Sequence, residues 1–223
     1  KLMQPFQKRT IHHEPNSTLK NFCFPILALK RKTGARGLRS IIEKGIKTEL
    51  IYSGKIFDLR HDDIELPDGN GAVRDYVVHK GAACIVPVTD DGCVLTVRQY
   101  RYPMKEILTE IPAGKRDSED EPPLETAARE LKEETGAEAD EFVFLGEFYP
   151  TCAYSTESIY MFMARGLHFG STHTDNDEFI ENGKIPIDLL VEQIMNGNIK
   201  DGKTQAAVLK AYKILKSEKE RKQ

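Results

Sequence analysis

The distribution of apolar and polar positions reads as strands through the first half of the acidic part of the chain. Glu49–Leu59 and Asp62–Leu66 read as strands that close on the turn Pro67-Asp68-Gly69-Asn70-Gly71, and Ala72–His79 is the partner beyond it. Ala82–Val88 is an unbroken apolar run, and Cys93–Arg101 follows it across Thr89-Asp90-Asp91-Gly92. Asp-Gly accepts the positive φ of a tight turn, so these two runs predict a hairpin. Glu106–Ile111 predicts another short strand, leading into Pro112-Ala113-Gly114.

The pattern then changes period. Pro122 and Pro123 suit a first helical turn, where a missing N–H costs nothing. Good helix formers follow over Leu124–Thr135, and Gly136 supplies a left-handed stop. Phe142–Tyr149 and Ser158–Ala164 return to strand patterning, and Asp188–Met195 and Thr204–Lys216 read as amphipathic helices. Strands interleaved with a few helices predict a mixed sheet with helices packed on it.

Composition changes this picture little, and charge changes it more. Hydrophobic residues make up 39% of the 223 and charged residues 30%, as in soluble globular chains. The apolar runs are too short to span a bilayer, and Phe22–Leu29 lacks the cleavage site of a signal peptide. Four cysteines without paired spacing, Cys84 and Cys93 among them inside apolar runs, fit a reducing cytoplasm. The pair His12–His13 has no spaced partner for zinc. Residues 1–45 carry ten Lys/Arg against two Asp/Glu, whereas the whole chain has a net charge of −3. A basic extension over 1–45 therefore precedes an acidic, catalytic-sized domain over 46–217, with a charged tail at 218–223.

The chemistry concentrates in Arg129-Glu130-Leu131-Lys132-Glu133-Glu134-Thr135-Gly136. On a helix Glu130 and Glu134 lie about 40° apart around the axis, and Glu133 is three residues from Glu130. Arg129 pairs with Glu133 at i, i+4. Crowded carboxylates repel unless a cation sits among them, and oxygen ligands select a hard ion such as Mg²⁺. Most glutamate-rich helices are only solvated faces. The context argues otherwise here: Gly114 upstream, Glu121 eight residues before Arg129, and Gly136 as the stop.

These positions resemble the signature of the Nudix hydrolases, G-x5-E-x7-R-E-U-x-E-E-x-G-U with U apolar. Glu121, Arg129, Glu130, Leu131, Glu133, Glu134, Gly136 and Ala137 match in register; six residues instead of five separate Gly114 from Glu121. The extra residue falls in the polar loop Lys115–Asp120, where an insertion costs little. The resemblance implies an α/β/α sandwich with a mixed β-sheet, preceded by N-terminal antiparallel strands. It implies metal binding by Glu130 and Glu134 with help from Glu133, and by the carbonyl of Ala113. Two or three Mg²⁺ ions, or Mn²⁺ in their place, would neutralise a diphosphate and activate a water.

The likeness extends over about Tyr52–Lys216 and is to the ADP-ribose (ADP-sugar) pyrophosphatase group. It is carried by Gly54-Lys55-Ile56-Phe57, Leu66-Pro67-Asp68-Gly69, Val97–Pro103, Glu110–Lys115, Asp177–Glu181 and Lys200–Thr204. It implies a homodimer with exchanged N-terminal strands. Arg101 would then contact phosphates or the terminal ribose, and Arg74 the adenosyl end. Glu178 would be the general base, with Glu181 and Glu157 as alternatives, and Glu157 also a substrate contact. Where the group carries a proline, sixteen residues after the signature glycine, this chain has Cys152, so other nucleotide sugars stay open.

Residues 27–43 resemble something unrelated, the sensor-2 segment of the Clp-type AAA+ unfoldase. No phosphate-binding G-x-x-x-x-G-K-[ST] loop accompanies it, which excludes an ATPase. It reads as a basic loop and a short helix, with no aromatic platform for nucleic acid. The expected activity is hydrolysis of ADP-ribose or a related ADP-sugar to AMP and a sugar phosphate. NADH, a dinucleoside polyphosphate, or a non-catalytic nucleotide sensor are the alternatives.

Overall fold

In a computed structural model the chain is described over residues 9–11, 41–170 and 179–222. They fall into two units: 80–152 with 157–222 and 9–11, and 41–79 with 153–156. The first unit opens with the short strand β1 (Arg9–Ile11). The second unit is built on β2 (Lys44–Ser53), β3 (Asp58–Glu65) and β4 (Gly71–Val78), an antiparallel sheet in the order β2-β3-β4.

The continuous strand expected over Glu49–Leu59 is two strands. The chain reverses at Gly54–Phe57, where the Gly54 N–H donates to the Phe57 carbonyl at 3.0 Å, and the Ser53 hydroxyl donates to Asp58 at 2.7 Å. The apolar pattern runs through this turn because Ile56 and Phe57 are exposed apolar residues. The expected turn at Pro67–Gly71 is present, closed by Leu66 N–H to the Asn70 carbonyl at 2.8 Å.

The first unit continues with β5 (Ala82–Pro87), β6 (Cys93–Arg101), β7 (Glu106–Glu110), β8 (Ala113–Lys115), α1 (Pro123–Thr135), β9 (Ala137–Phe148), β10 (Ile159–Phe169), β11 (Ile180–Pro186), α2 (Ile187–Met195) and α3 (Gly202–Lys222). Its main sheet has the order β1-β9-β10-β5-β8, with β10 parallel to β5 and antiparallel to β9. A second, antiparallel sheet has the order β11-β6-β7. The turn between β5 and β6 forms as expected, with Gly92 at φ 78°. Only the mouth of that hairpin pairs, at Val88 and Val94, and the two strands then enter different sheets.

β5 explains the layering. Its residues are buried throughout, and alternate side chains join different cores. Ala83 and Ile85 pack with Ala127 and Leu131 of α1; Cys84 and Val86 pack with Leu190 of α2 and Val208 of α3. The main sheet thus carries α1 on one face and α2 with α3 on the other, the α/β/α sandwich expected. Burying Leu131 alone stabilises this arrangement by about 1.5–3 kcal/mol. Burial also pushes the Cys84 thiol up to about 12, as suits an inert core cysteine. α1 has Pro at its start and ends at Gly136, whose φ of 69° is left-handed and whose N–H donates to the Lys132 carbonyl at 2.9 Å.

Candidate active site

α1 buries Thr126, Ala127, Glu130, Leu131 and Glu134. Two carboxylates on the buried face of a helix are costly, because charge removed from water must be compensated. Glu130 is 8% exposed and Glu134 4%. Glu134 Oε2 accepts the Ala113 N–H at 3.2 Å, and Glu130 Oε1 accepts from Arg129 Nη1 at 2.7 Å. Ala113 and Gly114 lie on β8, held in register against Cys84 and Ala83 of β5. A Cβ at position 114 would overlap the Glu130 carboxylate, so any side chain here displaces that carboxylate or the strand.

Arg129 is the hub. Its Nη1 also donates to Glu133 at 3.0 Å, its Nη2 donates to the Lys115 carbonyl at 3.2 Å, and its Nε lies 3.6 Å from Glu121. Burial works against the guanidinium's charge, but Glu130 and Glu133 outweigh it and raise its pKa. Glu121 is pushed up by burial and more strongly held down, first by the Asp117 N–H, which it accepts at 2.6 Å. The loop and the helix are therefore tied into one unit by charge-assisted bonds.

The glutamates are distributed unequally. Glu130 and Glu133 meet at one guanidinium, Glu134 faces a backbone N–H, and the Glu133 side chain keeps 38% exposure. Among the described residues no three His, Cys, Asp or Glu side chains already form a metal cage. Glu130, Glu133, Glu134 and the Ala113 carbonyl offer oxygen donors, largely carboxylate, which suit a hard divalent cation.

Beside the loop lies a polar network in which the sequence assigns a role to Arg101 alone. Glu110, 1% exposed, accepts from Arg101 Nε and Nη2, both at 2.7 Å, and from Lys203 Nζ. Lys203 also pairs with Asp201 at 3.0 Å. Asp201 takes the Thr204 N–H at 2.9 Å and its hydroxyl at 2.6 Å, and Thr204 Oγ1 accepts the Ile111 N–H at 3.0 Å. Strict charge reading could have flagged Glu110, an acid bordered by the apolar Ile111 and Pro112.

Other expected residues lie outside α1 and β8. Arg74 lies on β4 of the second unit, paired with Glu43. Glu181 pairs with Arg98 across β11 and β6 at 2.8 Å. Glu157 is half-buried just before β10, and Cys152 is exposed. Glu178 lies outside the described residues, as does nearly all of 27–43. A recess of about 560 Å³ lined by residues including Asp91, Arg165, Tyr212 and Lys216 contains none of the glutamates of α1. Among the described residues no helix is long and apolar enough to cross a membrane.

Residues 78–204 match the NUDIX domain, and 43–77 match the nucleoside diphosphate sugar hydrolase N-terminal domain. The chain is 36% identical to an ADP-ribose pyrophosphatase of Bacillus subtilis (strain 168), over 77% of this chain and 93% of that protein. It is 38% identical to a methanol dehydrogenase activator of Bacillus methanolicus, over 74% and 90% of the two. Its fold superposes on a crystal structure of an ADP compounds hydrolase with a TM-score of 0.70 at 21% identity, covering 79% of this chain and 95% of the other. With the signature folded as one loop and one helix around Arg129, and the domain match spanning more than half its length, the chain belongs to the Nudix family.

Proposed function

We propose that this protein hydrolyses a nucleoside diphosphate sugar at its diphosphate, with ADP-ribose as the substrate and AMP and a sugar phosphate as products. The observation that carries this reading is the burial of Glu130 and Glu134 against β8, restrained by Arg129 and the Ala113 N–H. A solvated helix face would not hold two carboxylates there at the cost of removing them from water. The matched N-terminal domain and the name of the Bacillus subtilis relative support the substrate class.

Glu130, Glu134 and the Ala113 carbonyl, with Glu133, would hold Mg²⁺ or Mn²⁺. When bound, such ions supply neutralisation of the diphosphate and a lowered pKa for water. The protein's own contribution is positional. Arg129 keeps the carboxylates from repelling one another, and Gly114 lets Glu130 reach the strand. Arg101 offers a guanidinium whose side chain is 40% exposed, suited to orienting a phosphate. Glu178 is proposed to take the proton as water attacks the adenosyl-side phosphorus and the bond to the bridging oxygen breaks, releasing the sugar phosphate.

We also propose a homodimer in which Arg74 serves the adenosyl end. Ile46, Leu50, Ile51, Tyr52 and Val73 are exposed apolar residues of the β2-β3-β4 sheet, a surface that a second copy would cover. Turnover of ADP-ribose, other nucleoside diphosphate sugars, NADH and a dinucleoside polyphosphate, each with and without Mg²⁺, tests the reading. Mg²⁺-dependent release of AMP from ADP-ribose is expected. Equal turnover without a divalent ion, or none with any nucleoside diphosphate sugar, overturns it.

A further inference from the structure

Glu110 ends β7 as a nearly inaccessible carboxylate, and two cations converge on it. Arg101 approaches as a two-pronged fork through Nε and Nη2, so the orientation of its guanidinium plane is set by Glu110. Lys203 shares Oε2, and its side chain is only 11% exposed. Asp201 lies beyond Lys203, so charges of alternating sign run Arg101, Glu110, Lys203, Asp201, closed at one end and open to solvent at Arg101. The four sum to zero. Without Lys203 they would sum to −1, directly behind the guanidinium proposed to orient a phosphate.

The ammonium is itself held in place. Lys203 lies in the first turn of α3, whose start is fixed by Asp201 accepting the Thr204 N–H and hydroxyl. The single hydroxyl proton goes to Asp201, so Thr204 Oγ1 is free to act as acceptor for the Ile111 N–H. The first turn of α3 therefore grips the chain at Glu110 and Ile111. A buried ion pair can commonly be replaced by apolar side chains with little loss of stability. Stability alone does not account for two cations on one buried acid.

We propose that Lys203 is a positioning residue for Arg101: by sharing Glu110 it fixes the guanidinium's orientation and leaves its charge available to the diphosphate. This rests on the reading that Arg101 meets the substrate's phosphates. Steady-state kinetics of the full chain with ADP-ribose and Mg²⁺ test it. Lys203→Met is expected to raise KM about tenfold with kcat within about threefold, the pattern of lost uniform binding. Lys203→Arg should restore KM to within about threefold of the parent.

The effect should also pass through Glu110. Glu110→Gln is expected to raise KM by about tenfold on its own, and adding Lys203→Met to it should raise KM less than twofold further, as for residues acting as one unit. If Lys203→Met does not fold, that pair decides, since Glu110→Gln leaves Lys203 paired with Asp201 and the double variant removes both members of the Glu110–Lys203 pair. An unchanged KM in Lys203→Met or in Glu110→Gln, or a further tenfold rise in the double variant, overturns the assignment. Parent protein that turns over no nucleoside diphosphate sugar overturns the proposed function instead.

Discussion

Gly114 stands against the Glu130 carboxylate with no room between them for a methyl group. Its φ lies outside the left-handed region, so an added side chain meets steric conflict and not backbone strain. Gly114→Ala must therefore displace either Glu130 or β8, which also carries Ala113. Misplacing a catalytic group by about 1 Å costs on the order of 100-fold in rate. Gly114→Ala is expected to lower kcat/KM for ADP-ribose by about that factor with the circular dichroism spectrum retained. Activity within threefold of the parent would show that Glu130 need not sit against the strand.

Divalent-ion binding has a readout independent of turnover. A ligand at 100 times its Kd stabilises the native state by about 2.7 kcal/mol. Mg²⁺ is expected to raise the melting temperature of the parent protein by several degrees and to leave Glu130→Gln and Glu134→Gln almost unmoved. Glu130→Gln should also abolish turnover while folding normally. A full Mg²⁺ shift in both variants would remove these two glutamates from the site.

Arg129 separates the two roles of charge in this loop. It is the cation shared by Glu130 and Glu133 and lies near Glu121. Arg129→Met leaves those acids to repel one another, at a cost of about 1–3 kcal/mol for a lost charged partner. In EDTA the variant should melt several degrees below the parent, and saturating Mg²⁺ should narrow that gap. A gap that widens in Mg²⁺ would mean that Arg129 supports the ion instead of substituting for its charge.

The contrast between these residues shows what a linear reading can reach. Glu130, Glu133 and Glu134 share one helix, so spacing alone brought them together, and Gly114 and Gly136 stood at legible distances from them. Arg101, Glu110 and Lys203 lie on three elements up to about a hundred positions apart, each ordinary by itself, and only folding joins them. β11 escaped notice because Ile180–Pro186 has few apolar residues and is held by backbone pairing to β6. Glu49–Leu59 misled in the opposite sense: its apolar residues continue across a reversal that is set by one backbone hydrogen bond. Arg74, singled out from the family pattern, lies in the second unit, ion-paired with Glu43.

Acid should expose the Glu110 network. Burial pushes the Glu110 carboxyl up, but Arg101 and Lys203 together pull it below its ordinary value of 4.5. A carboxyl whose folded pKa is depressed contributes stability that is fully present above the unfolded value and lost as pH falls through the folded one. Denaturant titrations of the parent should therefore give a free energy that falls as pH drops below about 4.5. Glu110→Gln should show a shallower fall over the same range. Parallel curves for the two proteins would mean that the Glu110 charge contributes nothing to folding.

Thr204 offers the sharpest separation of shape from polarity. Its side chain is fully buried, donates to Asp201 and accepts from Ile111, so both ends of the hydroxyl are in use. Thr204→Val keeps the volume and strands the Ile111 N–H, a buried donor whose lost partner costs about 1–3 kcal/mol. Thr204→Ser keeps the hydroxyl and loses only a methyl group, so its cost should be near 1 kcal/mol. Because Ile111 lies two residues before Ala113, Thr204→Val should also lower kcat several-fold, whereas Thr204→Ser should not. Loss of stability in Thr204→Val with kcat unchanged would confine the hydroxyl to folding and detach the start of α3 from the loop that carries the Ala113 carbonyl.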